Sequence, residues 1–253
     1  MSPDHRAADR RSGRVSEDAL LGGRVRLCQP LEGYRVAIDP LFLAASIPAA
    51  PGESVLDLGC GVGAAALCLL VRLPQVRVTG LEIQADLVRL AGENARLNGL
   101  AARFLPIAGD VAKPPPRLAP GAFHHVMCNP PHLPPGHPGG AGSPARAAAM
   151  REAGVRRADW VGTALAMVGP KGTIAFVHRS DRLLAALSGR AGEIVVFPLW
   201  RGAGRPAKRV IVRARKEVAT PLRLSAGLVL HDSKGRFTPE AEAVLRAAAA
   251  LPL

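Results

Sequence analysis

A short apolar run ends at an asparagine, and two prolines and a histidine follow it: VMCNPPH, residues 126–132. An asparagine at a strand end offers a carbonyl acceptor and an NH2 donor. Pro131 restricts Pro130 to an extended or polyproline-like backbone. Pro130 itself has no N–H, so its carbonyl can face a ligand with no donor competing beside it. The Asn129 side-chain oxygen and the Pro130 carbonyl could then hold both hydrogens of a planar amine. That grip would turn the nitrogen lone pair towards an electrophile. Such a site works by positioning and electrostatic matching and needs no strong general base.

Three acids fall at the ends of three earlier apolar runs. Asp57 precedes Gly59, Gly61 and Gly63 in LDLGCGVGA, 56–64. Those glycines let the backbone turn sharply and approach a ligand. Gly59, Gly61 and Ala64 also fit a loose dinucleotide pattern, so NAD stands as a rival ligand. Asp57 argues against it, because an anion is poor company for a pyrophosphate and good company for an ammonium group. Glu82 lies about 20 residues beyond the glycines, where a carboxylate takes ribose hydroxyls. Asp110 follows a glycine at the next run's end and could accept from an adenine amine. An amino acid part, a ribose and an adenine together describe S-adenosylmethionine. Each acid taken singly could instead cap the helix that follows it.

The elements that must position these groups alternate. Apolar runs at 53–59, 76–82, 102–110, 123–131, 173–178, 193–199 and 208–215 read as seven strands. Helical patterns fall at 64–73, 85–99, 158–168, 181–187 and 238–251, and GPKG at 169–172 reads as a turn. The helix at 85–99 has an Asn-Gly stop, and that at 238–251 starts with Thr238 and Pro239 as N-cap and N1. This alternation predicts an α/β fold, a Rossmann-like doubly wound and mostly parallel sheet. Its ligands belong at the carboxyl ends of the strands, which puts residues 57–63, Glu82, Asp110 and 129–132 on one rim. The Pro/Gly-rich stretch 130–144 is longer than an ordinary connector and is expected to be either functional or disordered.

The chain has 253 residues and a formal net charge of +13, a balance that favours a polyanionic partner, nucleic acid first. The stretch 201–216 holds seven Lys/Arg and no acid. On its strand Arg209, Arg213 and Arg215 share one parity and Val210 and Val212 the other, which predicts a cationic face for RNA phosphates. Arg146, Arg151, Arg156 and Arg157 add positive charge just after the NPPH stretch. A guarded edge strand is the plainer account of 208–215. Aromatic residues make up only 4% of the chain, so base stacking would rest on few rings, such as Trp160, Trp200 or Phe123. The four cysteines form no CxxC pair and no zinc-ligand spacing, which predicts reduced thiols and no metal. No apolar stretch reaches membrane-spanning length and no secretory signal opens the chain, so a cytoplasmic protein is expected. Residues 1–24 read as a mobile polar tail before one domain at 25–253.

The NPPH stretch resembles the NPPY/DPPY signature of class I methyltransferases that act on exocyclic or amide nitrogens. The resemblance extends from about Leu27 to Arg246. LDLGCGVGAAAL, LEIQADLVRLAGENARLNGL, the GD at 109–110 and NPPH all fall in the family's order. It is strongest to the bacterial valine-tRNA adenine-N(6) methyltransferase group, which has stretches like GYRVAIDPLFLAAS (33–46) and a basic segment like ARAAAMREAGVRR (145–157). The resemblance implies that segment 25–50, around Asp39, helps cover the cofactor. It implies cofactor contacts at Asp57, Gly59, Gly61, Glu82 and Asp110, and catalytic contact at Asn129, which also borders the cofactor. It further implies a last strand antiparallel to the rest. Where the family usually has Tyr or Phe, stacked on the target base, this chain has His132, whose smaller ring can stack too. An adenine N6 of tRNA is the expected target. A guanine of rRNA, an adenine of DNA, a protein glutamine, and an inactive RNA-binding protein with this fold remain alternatives. Oligomeric state is left open by the sequence.

Overall fold

The computed structural model describes residues 15–32, 35–130, 157–178, 187 and 189–253. A hairpin opens it, with β1 (Val15–Leu20) antiparallel to β2 (Val25–Pro30). Helix α1 (Asp39–Ala45) follows, then β3 (Ser54–Leu58), α2 (Ala64–Arg72), β4 (Arg77–Glu82), α3 (Ala85–Leu97), β5 (Phe104–Ala108) and β6 (Phe123–Cys128). Next come α4 (Arg157–Met167), β7 (Val168–His178), β8 (Ala191–Trp200) and β9 (Arg209–Lys216). Two short strands, β10 (Arg223–Leu224) and β11 (Leu228–Val229), precede α5 (Pro239–Ala247).

The main sheet runs β10-β8-β9-β7-β6-β3-β4-β5, with β11 also beside β8. Strands β3 to β7 pair in parallel, and β9 is antiparallel to both β7 and β8. The seven expected strands are therefore all present, and β10 and β11 extend the sheet beside β8 in parallel to it. The chain order reverses between β3 and β6. That reversal is the switch point where such sheets open a crevice at the strands' carboxyl ends.

Both faces of the sheet are covered, and for this reason the strands read as continuous apolar runs. Val55, Met127, Ala175, Val177 and Ile211 face one core, packed with α1, α2, α3 and α5. Leu56, Leu58, Val126, Cys128, Ile174 and Phe176 face the other, shared with α4. All four cysteines are free thiols.

Several expectations need correction. Residues 15–24 are not a tail: they form β1 and a turn, and the rest of that expectation, residues 1–14, lies outside the described residues. The strand VSEDAL hides in the sequence because polar contacts fix it. Asp18 accepts from Gln29 Nε2 at 2.8 Å and from Arg35 at 2.8 Å, and Arg26 pairs with Glu17 at 2.7 Å. GPKG is absorbed into β7, which shifts register against β6 between Phe123 and His125 and passes through Lys171 at φ 59°. The last helix stops at Ala247 because Ala248 turns left-handed, although Thr238 caps it as expected by accepting from the Ala241 N–H. The helix expected at 181–187 lies outside the described residues except at 187.

Two asparagines one turn apart, Asn94 on α3 and its C-cap Asn98, close the free edge of β2. Asn98 accepts from the Arg26 N–H at 2.8 Å and donates to the Arg26 carbonyl at 2.7 Å. Asn94, fully buried, does the same for Cys28 at 2.8 Å each way and also donates to the Val62 carbonyl in the glycine turn at 3.0 Å. Asn94→Ala would strand these buried backbone groups. It is expected to lower the unfolding free energy by about 1–3 kcal/mol, read by urea denaturation. A loss under about 0.5 kcal/mol would show that the hairpin is held by other contacts.

Candidate active site

The site is built where β3, β4, β5 and β6 end. After Leu58 the chain doubles back through Gly59 at φ 67°. The Gly59 N–H donates to the Leu81 carbonyl at 2.8 Å, which stitches the turn to β4. A Cβ at Gly59 would lie 2.7 Å from a Trp160 ring carbon, so the turn rests directly on α4. Gly61, at φ 55°, has nothing within 4 Å of where a Cβ would be. Open space on the ligand side of a left-handed turn is what a close-approaching cofactor requires.

Glu82 organises this turn. It is 3% exposed, and its two oxygens accept from the Gly61 N–H and the Gln84 N–H, each at 2.9 Å. A carboxylate fixed by two backbone donors still has acceptor capacity for a pair of hydroxyls. Asp110 stands next to it across the sheet, since the Gly109 N–H donates to the Glu82 carbonyl at 2.9 Å. One Asp110 oxygen accepts from the Ala112 N–H at 2.8 Å, so the carboxylate is held at the half-exposed mouth of its own turn.

Asp57 is 2% exposed and takes a hydrogen bond from the Ala66 N–H. Its Oδ2 is enclosed and has no hydrogen-bond partner among the described residues. Burial pushes its pKa up to about 8, and the charge of Glu82 acts in the same direction. A buried carboxyl left short of partners is costly unless a cation arrives.

Cys128 pairs in register with Leu58, which places Asn129 beside the glycine turn. The Asn129 Oδ1 is enclosed and has no hydrogen-bond partner among the described residues. Pro130 beneath it is buried. The structure thus brings Asp57, Gly59, Gly61, Glu82, Asp110 and Asn129 to one rim, as the sequence suggests. Pro131, His132, Arg146, Arg151 and Arg156 lie outside the described residues, and Arg157 opens α4.

The basic strand is a correction. Because β9 runs antiparallel, Arg209 lies opposite Leu199 near the carboxyl rim, whereas Arg215 lies opposite Thr173 at the amino end. The three arginines therefore share no rim, and the residue between them on the same parity, Ile211, is fully buried. Arg209 pairs with the buried Asp39 at 2.8 Å. Asp39 thereby ties α1 to β9. Arg215 donates to the Lys171 carbonyl at 2.9 Å and pairs with Glu193 at 3.1 Å. Two of the candidate stacking rings are also withdrawn, for Trp160 and Phe123 are buried at 4% and 8%. The wedge role of Trp160 under Gly59 was invisible in the sequence, where only an unusually bulky residue in a small-residue helix marks it.

The donor set decides between the two cofactors considered. The N–H groups of Gly59, Gly61 and Gly63 point to the Leu81 carbonyl, the Glu82 carboxylate and the Cys60 carbonyl. A pyrophosphate would find these donors taken and a carboxylate beside it. A ligand with an ammonium, a ribose and an adenine suits three carboxyl groups at successive strand ends better than a pyrophosphate does. Among the described residues no cluster of His, Cys, Asp or Glu could hold a metal ion, and no helix is long and apolar enough to cross a membrane.

Comparison with known proteins agrees. Residues 36–149 match the family described as methyltransferase small domain. The chain is 29% identical over 211 residues to a tRNA1(Val) (adenine(37)-N6)-methyltransferase of Actinobacillus succinogenes, covering 81% of this chain and 86% of that one. It is 39% identical over 83 residues to a release factor glutamine methyltransferase of Deinococcus radiodurans, covering 32% of this chain and 27% of that one. The crystal structure of a predicted O-methyltransferase from Agrobacterium tumefaciens superposes with a TM-score of 0.70 at 25% identity, covering 84% of this chain and 98% of that one. The strand order and these matches support an S-adenosylmethionine-dependent N-methyltransferase with a Rossmann-like sheet, similar to class I methyltransferases.

Proposed function

We propose that this enzyme methylates an exocyclic amine of RNA, with an adenine N6 of tRNA as the target. The observation that carries the reading is the enclosed Asn129 Oδ1 beside the glycine turn, which has no hydrogen-bond partner among the described residues. An enclosed amide oxygen with no donor among the described residues suits an N–H of the substrate. Bound S-adenosylmethionine supplies the electrophilic methyl group. Asn129 orients the amine and stabilises the positive charge that grows on it, while Asp57, Glu82 and Asp110 fix the donor's place. A base paired in a helix cannot present its amine to Asn129, so the target nucleotide is expected in a loop or flipped out.

The net charge of +13 supports a nucleic-acid substrate, as does the tRNA named for the Actinobacillus relative. The local match to a release factor glutamine methyltransferase supports a second reading, a protein glutamine, whose planar amide would suit the same clamp. Incubation with methyl-labelled S-adenosylmethionine and separated tRNA, rRNA and protein fractions distinguishes them. Label is expected in tRNA, and label confined to the protein fraction would reject the RNA reading in favour of the second.

A further inference from the structure

A second cavity of about 610 Å³ opens at the opposite end of the sheet, where β3, β6 and β7 begin. It is lined by Glu53, His125, Lys171, Glu193, Arg213 and Arg215 among others. Its size is that of an ordinary small-ligand pocket. It is separate from the methyl-transfer rim: Glu53 and Gly59 are six residues apart along β3, about 20 Å at about 3.3 Å each.

The charges lining it do not balance among themselves. Glu53 is satisfied by His125 Nε2 at 2.7 Å, and Glu193 by Arg215 at 3.1 Å. Two cations remain. Neither Arg213 nor Lys171 has a hydrogen bond or ion pair from its side chain among the described residues. Arg213 is half-buried, and burial holds its pKa below the ordinary arginine value, opposed by Glu193 and assisted by Arg223 and Arg215. His125 is 6% exposed, and its Nδ1 is enclosed without a partner among the described residues. A half-buried guanidinium with no carboxylate of its own is unfavourable, and a planar fork of donors beside an open cavity matches an oxyanion.

We propose that this cavity is a second binding site that takes a phosphoryl group on Arg213, with Lys171 as the second cation. The site stands independently of the methyl-transfer chemistry. Its ligand is either a small phosphate ester or a phosphodiester of the bound RNA, since both present the same oxygens.

Inorganic phosphate is the probe, titrated by calorimetry at constant ionic strength with S-adenosylhomocysteine saturating the other rim. The wild type is expected to bind phosphate saturably. Arg213→Met keeps the length of the side chain and removes the charge, and should weaken that binding by about tenfold or more while S-adenosylhomocysteine affinity holds. Absence of saturable phosphate binding, or equal binding by wild type and variant, overturns the proposal. Should Arg213→Met lose S-adenosylhomocysteine binding as well, exposed Lys171→Ala carries the test, and an unchanged phosphate affinity there overturns it equally. The tRNA affinity of Arg213→Met then assigns the source: a parallel loss identifies an RNA phosphodiester, and an unchanged affinity a free phosphate ester. Methyl transfer to RNA is read separately, so failure here leaves the substrate reading untouched.

Discussion

Asn129→Ala is expected to lower methyl-transfer turnover by about two orders of magnitude or more, with S-adenosylmethionine affinity changed by no more than about a few fold. The asymmetry follows from where the oxygen sits. Asn129 Oδ1 makes no hydrogen bond among the described residues, so its removal takes nothing from the fold they form. Deleting an enclosed unsatisfied acceptor should leave stability unchanged or slightly raised. What disappears is the preorganised partner of the reacting amine. Asn129→Asp keeps an acceptor oxygen at that place and should lose less. Single-turnover kinetics on unmethylated acceptor RNA measures all three proteins. Turnover of Asn129→Ala within about tenfold of wild type would remove the amine clamp from the mechanism.

Cofactor affinity should rise steeply with pH through neutrality, and Asp57→Asn should abolish that slope. Asp57 holds its proton in the folded chain up to about pH 8, whereas the unfolded chain ionises it near 3.8. Between those values the folded state binds the extra proton. Stability therefore falls as pH rises, by at most about tenfold in the folding constant per pH unit, and levels off above about pH 8. An ammonium group delivered near Asp57 favours the ionised form, so binding at pH 7 must release a proton. Affinity should then increase by up to about tenfold per pH unit and flatten above about pH 8. Titration calorimetry at pH 7 in buffers of different ionisation enthalpy detects the proton directly. Asp57→Asn should bind more weakly, release no proton, and unfold with a flatter pH dependence. Binding by wild type with no proton released would show that Asp57 does not meet the cofactor's charge.

The site rim was legible in the sequence because its chemistry demands residue types at strand ends. Asp57, Glu82, Asp110 and Asn129 each follow an apolar run, and the parallel order brings such ends together. The stop of α3 at Asn98–Gly99 was equally readable, since Gly99 adopts φ 67°. What escaped depends on contacts distant in sequence. Nothing local in VSEDAL marks a strand, because β1 is held by a partner strand whose other edge is closed by Asn94 and Asn98, about 70 residues away. The parity of Arg209, Arg213 and Arg215 was readable, but the antiparallel direction of β9 distributes them between opposite ends of the sheet. The cavity at the opposite end of the sheet joins residues from 48 to 215, a set that no sequence window contains.

The central claim is that this chain places a methyl group on an adenine N6 of tRNA through Asn129. Nucleoside mass spectrometry of purified tRNA from a deletion strain, complemented with wild type or with Asn129→Ala, tests it most directly. The expected result is loss of N6-methyladenosine in the deletion, restoration by wild type, and no restoration by Asn129→Ala. Unchanged N6-methyladenosine in the deletion strain, or full restoration by Asn129→Ala, would contradict it.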